Sequence, residues 1–436
     1  MKRFEQYSDM ISRLYPQEYN PSKGKVLSRT VTFQVTDACN LACTYCYQIN
    51  KGVRVMKFET AKKLIDMLLT NDERLAGYID DEVSPAIILE FIGGEPFLQV
   101  DLIEQICDYF VDTAIELNHN WAYNFVISIC SNGVLYFDER VQRFLNKYKG
   151  KISFSITIDG NKELHDACRV FPNGQPSYDL AVAGANDWMA RGNYMGSKIT
   201  IAPENLPYLY EAILHMVDLG YHEINANVVY ENVWKPNHAK EYYKQLIKIA
   251  DYFIDNDLVE DYFLALFDSS FFVPMDEEDN ENWCGGVGSM LSCDPDGYLY
   301  PCIRYMESSL GCSQKPMRIG HVDEGISQCE EYKSCVDCLN CITRRSQSTD
   351  ECFYCPIAKG CSWCSAYNFQ ETGTPNKRVT YICDMHKARS LANVYYWNTW
   401  YRKKNKDERF EMHCPKEWAL EIISEEEYNK LMNLSK

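Results

Sequence analysis

Three cysteines stand within eight residues near the start of the chain, Cys39-Asn-Leu-Ala-Cys43-Thr-Tyr-Cys46. Thiolates at i, i+4 and i+7 can wrap one loop around a cubane iron–sulfur cluster, and they supply one ligand fewer than its four irons need. The iron left open is what chemistry on a small-molecule ligand requires. Structural zinc is the competing reading, but zinc takes four closed ligands, often in paired Cys-x2-4-Cys knuckles, and no fourth Cys or His lies nearby in the sequence. A second field begins at Cys284, with Gly297 and Cys302 following. Then come Cys352-x2-Cys355-x5-Cys361-x2-Cys364 and, after a gap, Cys383. Cys293 lies inside this field, in Ser-Cys-Asp-Pro-Asp-Gly, and Cys329, Cys335, Cys338 and Cys341 lie between its halves. Clustered thiols of this kind, in a chain with too few Cys for a small disulfide scaffold, point to metal.

The elements that must position these thiols show as a rhythm. Short runs rich in Ile, Val and Phe at 30–35, 86–92, 124–130, 152–158, 195–201 and 223–229 alternate with stretches of helical spacing at 60–70, 100–117, 138–148, 178–191, 206–219 and 238–256. Near-continuous apolar strands are those buried on both faces of a parallel sheet, and repeated β/α units imply such a sheet, doubly wound or curled into an incomplete barrel. The first cysteine loop follows the first strand, at the strand end where α/β proteins place their chemistry. After residue 255 the rhythm stops. The acidic stretch 276–282 reads as a linker, the Cys-dense region as a fold organised around metal, and the Tyr- and Trp-rich chain from His386 as helical. Within it, 394–401 reads as helix packing in preference to a peptide-binding surface.

Composition narrows the partners. The formal net charge is −18, which works against nucleic acid, since such binding rests on neutralising phosphates with Lys and Arg. The basic cluster Arg402-Lys403-Lys404-Asn405-Lys406 reads as a solvated face. The first thirty residues hold no apolar core of a signal peptide, and no apolar run approaches a membrane span. The expectation is a cytoplasmic chain without a membrane partner.

The first cluster resembles the signature of the radical S-adenosylmethionine (radical SAM) superfamily, Cys-x3-Cys-x2-Cys, including the aromatic Tyr45 before the last Cys. Further matches follow in order. Gly93-Gly94-Glu95-Pro96 resembles the motif whose backbone and Glu carbonyl groups hold the methionine ammonium. Ser131 and Asn132 end the third strand, where the family places ligands for polar groups of the cofactor. Ser155-Ile-Thr157-Ile-Asp159-Gly160 and His165-Asp166-Ala-Cys-Arg169 resemble the residues that face the ribose (Asp159) and the methionine carboxylate (Arg169), while His165 reads as a structural hydrogen-bonder. The resemblance implies an α/β fold, a partial (β/α)6 TIM-like barrel, and homolytic cleavage of S-adenosylmethionine to a 5′-deoxyadenosyl radical by a [4Fe–4S] cluster on Cys39, Cys43 and Cys46.

The second field is similar to the SPASM extension of peptide-modifying radical SAM enzymes, Cys-x9-15-Gly-x4-Cys, gap, Cys-x2-Cys-x5-Cys-x3-Cys, gap, Cys. That extension implies two auxiliary [4Fe–4S] clusters, one on Cys352, Cys355, Cys361 and Cys383, the other on Cys284, Cys302 and Cys364. Here two residues, not three, separate Cys361 from Cys364, which leaves the role of Cys364 open, and Cys293 is a candidate fourth ligand of the second set. Cys329, Cys335, Cys338 and Cys341 are not needed by the pattern, and metal binding, a protective thiol set and handling of substrate thiols stay open for them. The implied organisation is an N-terminal extension (1–29), barrel (30–256), linker (257–283), SPASM domain (284–385) and C-terminal helical region (386–436).

Within this group the stretches around Cys361–Tyr367 and Tyr381–Arg389 resemble maturases whose target peptides carry Cys-x3 repeats. The expected activity is therefore thioether crosslinking of a Cys-rich, ribosomally made precursor peptide, with an open auxiliary iron available to a substrate thiolate. Sulfatase-maturase-type Cys or Ser oxidation is the main alternative. Those enzymes carry an Asp base directly after the Cys of Gly-x4-Cys, whereas Ile303 stands here. Epimerisation, carbon–carbon crosslinking and a non-catalytic iron–sulfur scaffold are the others. The implied electron donor is a flavodoxin or ferredoxin-like protein. Only 38 residues precede Cys39, too few for the N-terminal peptide-recognition module of many such maturases. Leader recognition is therefore expected from the C-terminal region or from a separate leader-peptide-binding protein.

Overall fold

The computed structural model describes residues 28–75, 78–79, 84–282, 284–288, 290–311 and 314–436, so most of the expected N-terminal extension lies outside the described residues. The chain divides into two compact units, Met1–Phe154 with Trp283–Ile342, and Ser155–Asn282 with Thr343–Lys436. Each is described by itself.

The first unit opens with β1 (Ser28–Thr36), α1 (Phe58–Leu69), β2 (Ala86–Gly93), α2 (Val100–Glu116), β3 (Phe125–Ser131), α3 (Glu139–Lys147) and β4 (Ile152–Ile156), whose last residues begin the second unit. β1 shows why this sheet forms: Val31, Phe33 and Val35 on one face and Thr32, Gln34 and Thr36 on the other are all buried, as a central parallel strand requires. It pairs in parallel with β2, which pairs in parallel with β3. Phe33 stacks on Phe91 at 5.5 Å across the first pair. The helices cover the sheet with stripes at three- and four-residue spacing, such as Ile103, Ile106, Cys107, Phe110 and Ala114 of α2.

The Cys-dense region adds strands that no periodicity announced. β9 (Met290–Cys293), β10 (Tyr298–Tyr300), β11 (Gly320–His321) and β12 (Gly325–Ile326) extend the sheet in the order β12-β11-β10-β9-β1-β2-β3-β4. β9 runs parallel to β1, with Phe33 opposite Cys293, and the remaining new pairs are antiparallel. Gly297 makes the β9–β10 turn at φ +96°, where a Cβ would lie 2.8 Å from Val322 Cγ2, so a side chain is excluded twice over. α8 (Glu330–Asn340) closes the unit.

The second unit continues the alternation with α4 (Lys162–Cys168), α5 (Tyr178–Ala190), β5 (Ile199–Ile201), α6 (Leu209–Asp218), β6 (Glu223–Ile224), β7 (Ala226–Val228) and α7 (Pro236–Asp255). The strand expected at 223–229 is split at Asn225, and its halves pair differently: β7 with β5, and β6 with β8 (Phe263–Leu264). Asn225 belongs to neither half because its backbone N–H goes to Ser197 Oγ and its side chain to Glu223. β8 falls in the stretch read as a linker. The short helices α9 (Arg344–Gln347) and α10 (Asp350–Phe353), then α11 (Ser365–Thr372), α12 (Cys383–Lys403), α13 (Lys416–Ile422) and α14 (Glu425–Leu434) complete the unit. α12 packs along α7. Its aromatic stretch is core: Val394, Tyr396 and Trp400 are buried, and Tyr396 stacks on Phe267 at 4.1 Å. The basic cluster is held by this unit's own groups, Lys404 by Asp257, Lys406 by Glu260, and Arg402 by the Asn433 carbonyl. No helix of the described residues is long and apolar enough to cross a membrane.

Candidate functional site

β1 ends at Thr36, and the chain turns directly into the Cys39 loop. Thr36 fixes the start of that loop twice, its Oγ1 accepting from the Ala38 N–H at 3.1 Å and its carbonyl from the Gly94 N–H at 3.2 Å. The Glu95 N–H donates to the Ala38 carbonyl at 2.9 Å, so the loop after β2 is laced to the loop after β1. Gly94 has to be glycine here, because a Cβ would fall 2.4 Å from the Ala38 oxygen and 2.6 Å from Cys39 Cβ.

Cys39, Cys43 and Cys46 lie on this one loop, half-buried, with the Cys46 N–H turned back to the Cys43 carbonyl at 3.3 Å. Burial pushes the Cys39 thiol up. The Leu41 N–H aimed at its sulfur and the Lys51 ammonium work against that, and the neighbouring Glu95 and Cys43 add to it. A backbone N–H and a cation at a thiol are the environment that steadies a metal-bound thiolate. Lys51 also donates to the Leu41 carbonyl at 3.1 Å, and Asn50 ties the end of the loop to the carbonyls of Glu307 and Leu310.

Glu95 is buried at the hub of this site. Its Oε1 accepts from Ser131 Oγ at 2.8 Å and from the Phe97 N–H, where the carboxylate caps the turn Pro96–Gln99. Its Oε2 accepts from the Asn132 N–H at 2.8 Å. The Asn132 side chain in turn donates to Asn40 Oδ1 at 2.7 Å, one residue beyond Cys39. Gly93, Gly94, Glu95, Pro96, Ser131 and Asn132, read from separate motifs, thus form one connected wall beside the loop, with Tyr45 half-buried in the loop itself. Asn40 and Lys51 went unnoticed in the sequence. The position between Cys39 and Leu41 was the only signal for Asn40, and Lys51 had none.

In the second unit, Asp159 and Arg169 are both buried and face each other, Arg169 Nε lying 3.8 Å from Asp159 Oδ2. That is an ion pair too long for a hydrogen bond. The backbone of Arg169 is fixed by a relay in which its carbonyl accepts from Ser177 Oγ at 2.6 Å and Ser177 Oγ meets His165 Nε2 at 3.1 Å. Burial, with Arg169 nearby, lowers His165 to about 3, so this imidazole is neutral and structural.

The second unit also gathers Cys352, Cys355, Cys361 and Cys383. Burial pushes Cys383 up to about 12, and the adjacent Cys361 and Cys352 raise it further. Cys355 is likewise raised by burial and then by Cys361 and Cys352, while an Ile357 N–H at its sulfur opposes this. One cation, Arg378, acts on three of the four thiols and donates to the Cys361 carbonyl at 3.3 Å. Four soft donors, an N–H to sulfur and a guanidinium are a donor set that suits an anionic iron–sulfur cluster. Arg378 was missed because it sits in a turn with no spacing to mark it. Cys414, buried and raised to about 12, adjoins Cys355 and lies outside the pattern. Cys364 precedes α11, half-buried. In the first unit Cys284 and Cys302 are half-buried, whereas Cys293 is fully buried in the sheet with its thiol toward the Asp294 carbonyl. Among the described residues no three Cys, His, Asp or Glu side chains close around a single metal ion. Such closure is the arrangement of a zinc site, whereas a cluster's ligands each bind a separate iron.

No family model matches the chain. It is 30% identical over 223 residues to the uncharacterized protein MJ0907 of Methanocaldococcus jannaschii, covering 50% of this chain and 70% of that protein. It is 23% identical over 299 residues to the serine-type anaerobic sulfatase-maturating enzyme of Bacteroides thetaiotaomicron, covering 62% of this chain and 67% of the relative. Among solved structures, native anSMEcpe with bound AdoMet and the Kp18Cys peptide has a TM-score of 0.59 at 15% identity, covering 87% of this chain and 99% of that one. Streptococcus suis SuiB bound to precursor peptide SuiA has a TM-score of 0.53 at 16% identity, covering 82% and 76%. Homologues and structural neighbours of this chain are radical SAM SPASM-type maturases, and the chain belongs with them: it is a radical SAM enzyme with a SPASM domain, of the kind that modifies peptides and proteins, and S-adenosylmethionine and a [4Fe–4S] cluster are its cofactors.

Proposed function

We propose that this enzyme installs thioether crosslinks in a Cys-rich precursor peptide, joining a peptide sulfur to a peptide carbon. Position 303 carries the reading. The residue after Cys302 is Ile303, at the start of the turn Ile303–Tyr305. An aliphatic side chain takes no proton, so the base that sulfatase maturases carry there is missing. The peptides named with anSMEcpe and SuiB support a peptide substrate.

When bound, S-adenosylmethionine and its cluster supply the 5′-deoxyadenosyl radical. In this reading Cys39, Cys43 and Cys46 hold the cluster. Tyr45, Gly93, Gly94, Glu95, Pro96, Ser131 and Asn132 shape the methionine end of the site, Asp159 serves the ribose and Arg169 the carboxylate. Cys352, Cys355, Cys361 and Cys383 take one auxiliary [4Fe–4S] cluster. Cys284, Cys302 and Cys364 take the other, with Cys293 its candidate fourth ligand although that thiol is buried in the sheet. The barrel is residues 30–256, the SPASM domain 284–385, and the electron donor a flavodoxin or ferredoxin-like protein. A cleft of about 570 Å³ in the second unit supports leader recognition with a contribution from the C-terminal region, since Trp397 of α12 lines it with the exposed Tyr194 and Phe263 and with Asp261 and Asp268. Aromatic walls with carboxylates suit a peptide segment that mixes apolar and basic residues.

The test is anaerobic reconstitution with dithionite, S-adenosylmethionine and a Cys-rich precursor peptide, followed by mass spectrometry of both products. Loss of two hydrogen atoms per crosslink, with that Cys refractory to alkylation after reduction, is expected. Deoxyadenosine with an unmodified peptide, or a mass change away from Cys, would reject thioether formation.

A further inference from the structure

Among the described residues Arg389 is a guanidinium with no carboxylate in ion-pair contact. It stands fewer than two turns beyond Cys383 on α12, half-buried, with its Cζ 5.8 Å and 5.3 Å from the ring centres of Phe271 and Phe272. Its Nε donates to the Leu266 carbonyl at 2.9 Å and its Nη2 to the Ala265 carbonyl, both neutral acceptors. Burial works against its charge, as for any cation taken out of water without a partner, while Tyr242, Asp268 and Cys361 support it. Tyr242 is a neutral phenol, pushed up to about 12 by burial. The Asp268 carboxylate is engaged by the N–H and hydroxyl of Ser270. That leaves Cys361, which becomes anionic once it ligates a metal.

The placement agrees. Arg389 lines a cavity of about 30 Å³, room for about two waters, together with Ser362, the residue after Cys361, and with Asn227, Tyr242 and His386. Arg378, which donates to the Cys361 carbonyl, also acts on this thiol and is a second guanidinium with no carboxylate in ion-pair contact among the described residues. Two cations at one of four gathered thiols mark a site prepared for negative charge. Four thiolates around a [4Fe–4S] core carry net negative charge, and reduction by one electron adds to it. A fixed cation nearby therefore stabilises the reduced state more than the oxidised one.

We propose that Arg389 is the fixed counter-charge of the auxiliary cluster on Cys352, Cys355, Cys361 and Cys383 and raises its reduction potential. The proposal rests on the ligand set given above for that cluster. Arg389 acts on the reaction only through the cluster, by making it a better acceptor for the one electron released when a peptide carbon radical and a thiol close to a thioether. In that step the C–S bond forms, the S–H bond breaks and the proton leaves to solvent.

The test is a redox titration, followed by electron paramagnetic resonance, of the full chain reconstituted anaerobically with iron and sulfide. The relevant signal is the one that Cys352→Ala removes. Arg389→Gln should keep its iron and move the midpoint of that signal to more negative potential, by at least a tenfold change in the reduced-to-oxidised ratio, about 59 mV for one electron. Arg389→Lys should restore most of the shift. An unmoved midpoint in Arg389→Gln at full iron content overturns the proposal. If Arg389→Gln instead holds about four fewer irons per chain, full iron in Arg389→Lys supports a requirement for charge. The same loss in Arg389→Lys makes Arg389 a structural clamp and overturns the proposal. A wild-type chain with no signal that depends on Cys352 overturns the cluster assignment and the proposal together. Failure of thioether formation in the peptide assay, by contrast, leaves the midpoint comparison readable.

Discussion

Glu95 shows how one side chain can organise a site without reacting. Its carboxylate holds the Ser131 hydroxyl, the Asn132 N–H and the Phe97 N–H, and through Asn132 it reaches Asn40 in the cysteine loop. Glu95→Gln puts an amide NH2 against groups that themselves donate. The expected cost is about 2 kcal/mol in urea unfolding of the cofactor-free chain, with weaker S-adenosylmethionine binding by equilibrium dialysis. Unchanged affinity would show that the wall does not shape the ligand site. Cys39→Ala should remove about four irons per chain and abolish 5′-deoxyadenosine formation, whereas Cys302→Ala should keep cleavage and lose peptide modification. Full modification by Cys302→Ala would count heavily against an essential auxiliary cluster. The cysteines themselves were legible because ligands of one cluster can be neighbours in sequence. The tie between Glu95 and Ser131 was not, because residues 36 apart meet only once β2 and β3 have paired.

At the scale of elements, the strands β1 to β4 were legible from their runs of Ile, Val and Phe, which the buried face of each strand demands even where Thr, Gln or Ser occupies the other. β9 to β12 were illegible for the opposite reason: each is two to four residues long and held by turns such as the one at Gly297. Helices of the second unit carry two buried imidazoles, His165, lowered by burial and then by Arg169, and His386, lowered by burial to about 4 while it bonds the Ile357 carbonyl at 2.7 Å. Both stay neutral in the folded chain where the unfolded chain, with an ordinary value near 6.5, takes up protons. Their contribution to stability is therefore complete above about pH 6.5 and lost as pH falls toward 3 to 4. The unfolding free energy of the cofactor-free chain, read from urea titrations, should fall between pH 6.5 and 5 by on the order of 1–2 kcal/mol per histidine. His386→Gln should flatten that slope, and an unaltered slope would refute buried neutral imidazoles as its source.

At the scale of the whole molecule, peptide recognition is the property that the sequence left most open. Removing everything after His386 cannot test it cleanly, because α12 packs along α7 and its loss would unfold the second unit. Surface changes in the cleft can. Phe263→Ala with Tyr194→Ala, both exposed side chains, should weaken precursor binding severalfold by fluorescence anisotropy and leave S-adenosylmethionine cleavage intact. Equal affinity would move leader recognition to a separate protein.

The pairing of β1 with β9 imposes an order on synthesis. β1 carries the three-cysteine loop at its end, yet its outer edge pairs with residues 290–293, opposite 30–33 in the sheet. A ribosome therefore delivers the whole of Ser155–Asn282 before that edge can close. Throughout this interval the nascent chain presents an open parallel strand next to a reactive thiol loop, the kind of edge that invites mispairing. Such a protein favours a cell that inserts iron late, or shields the nascent strand until its partner has been made.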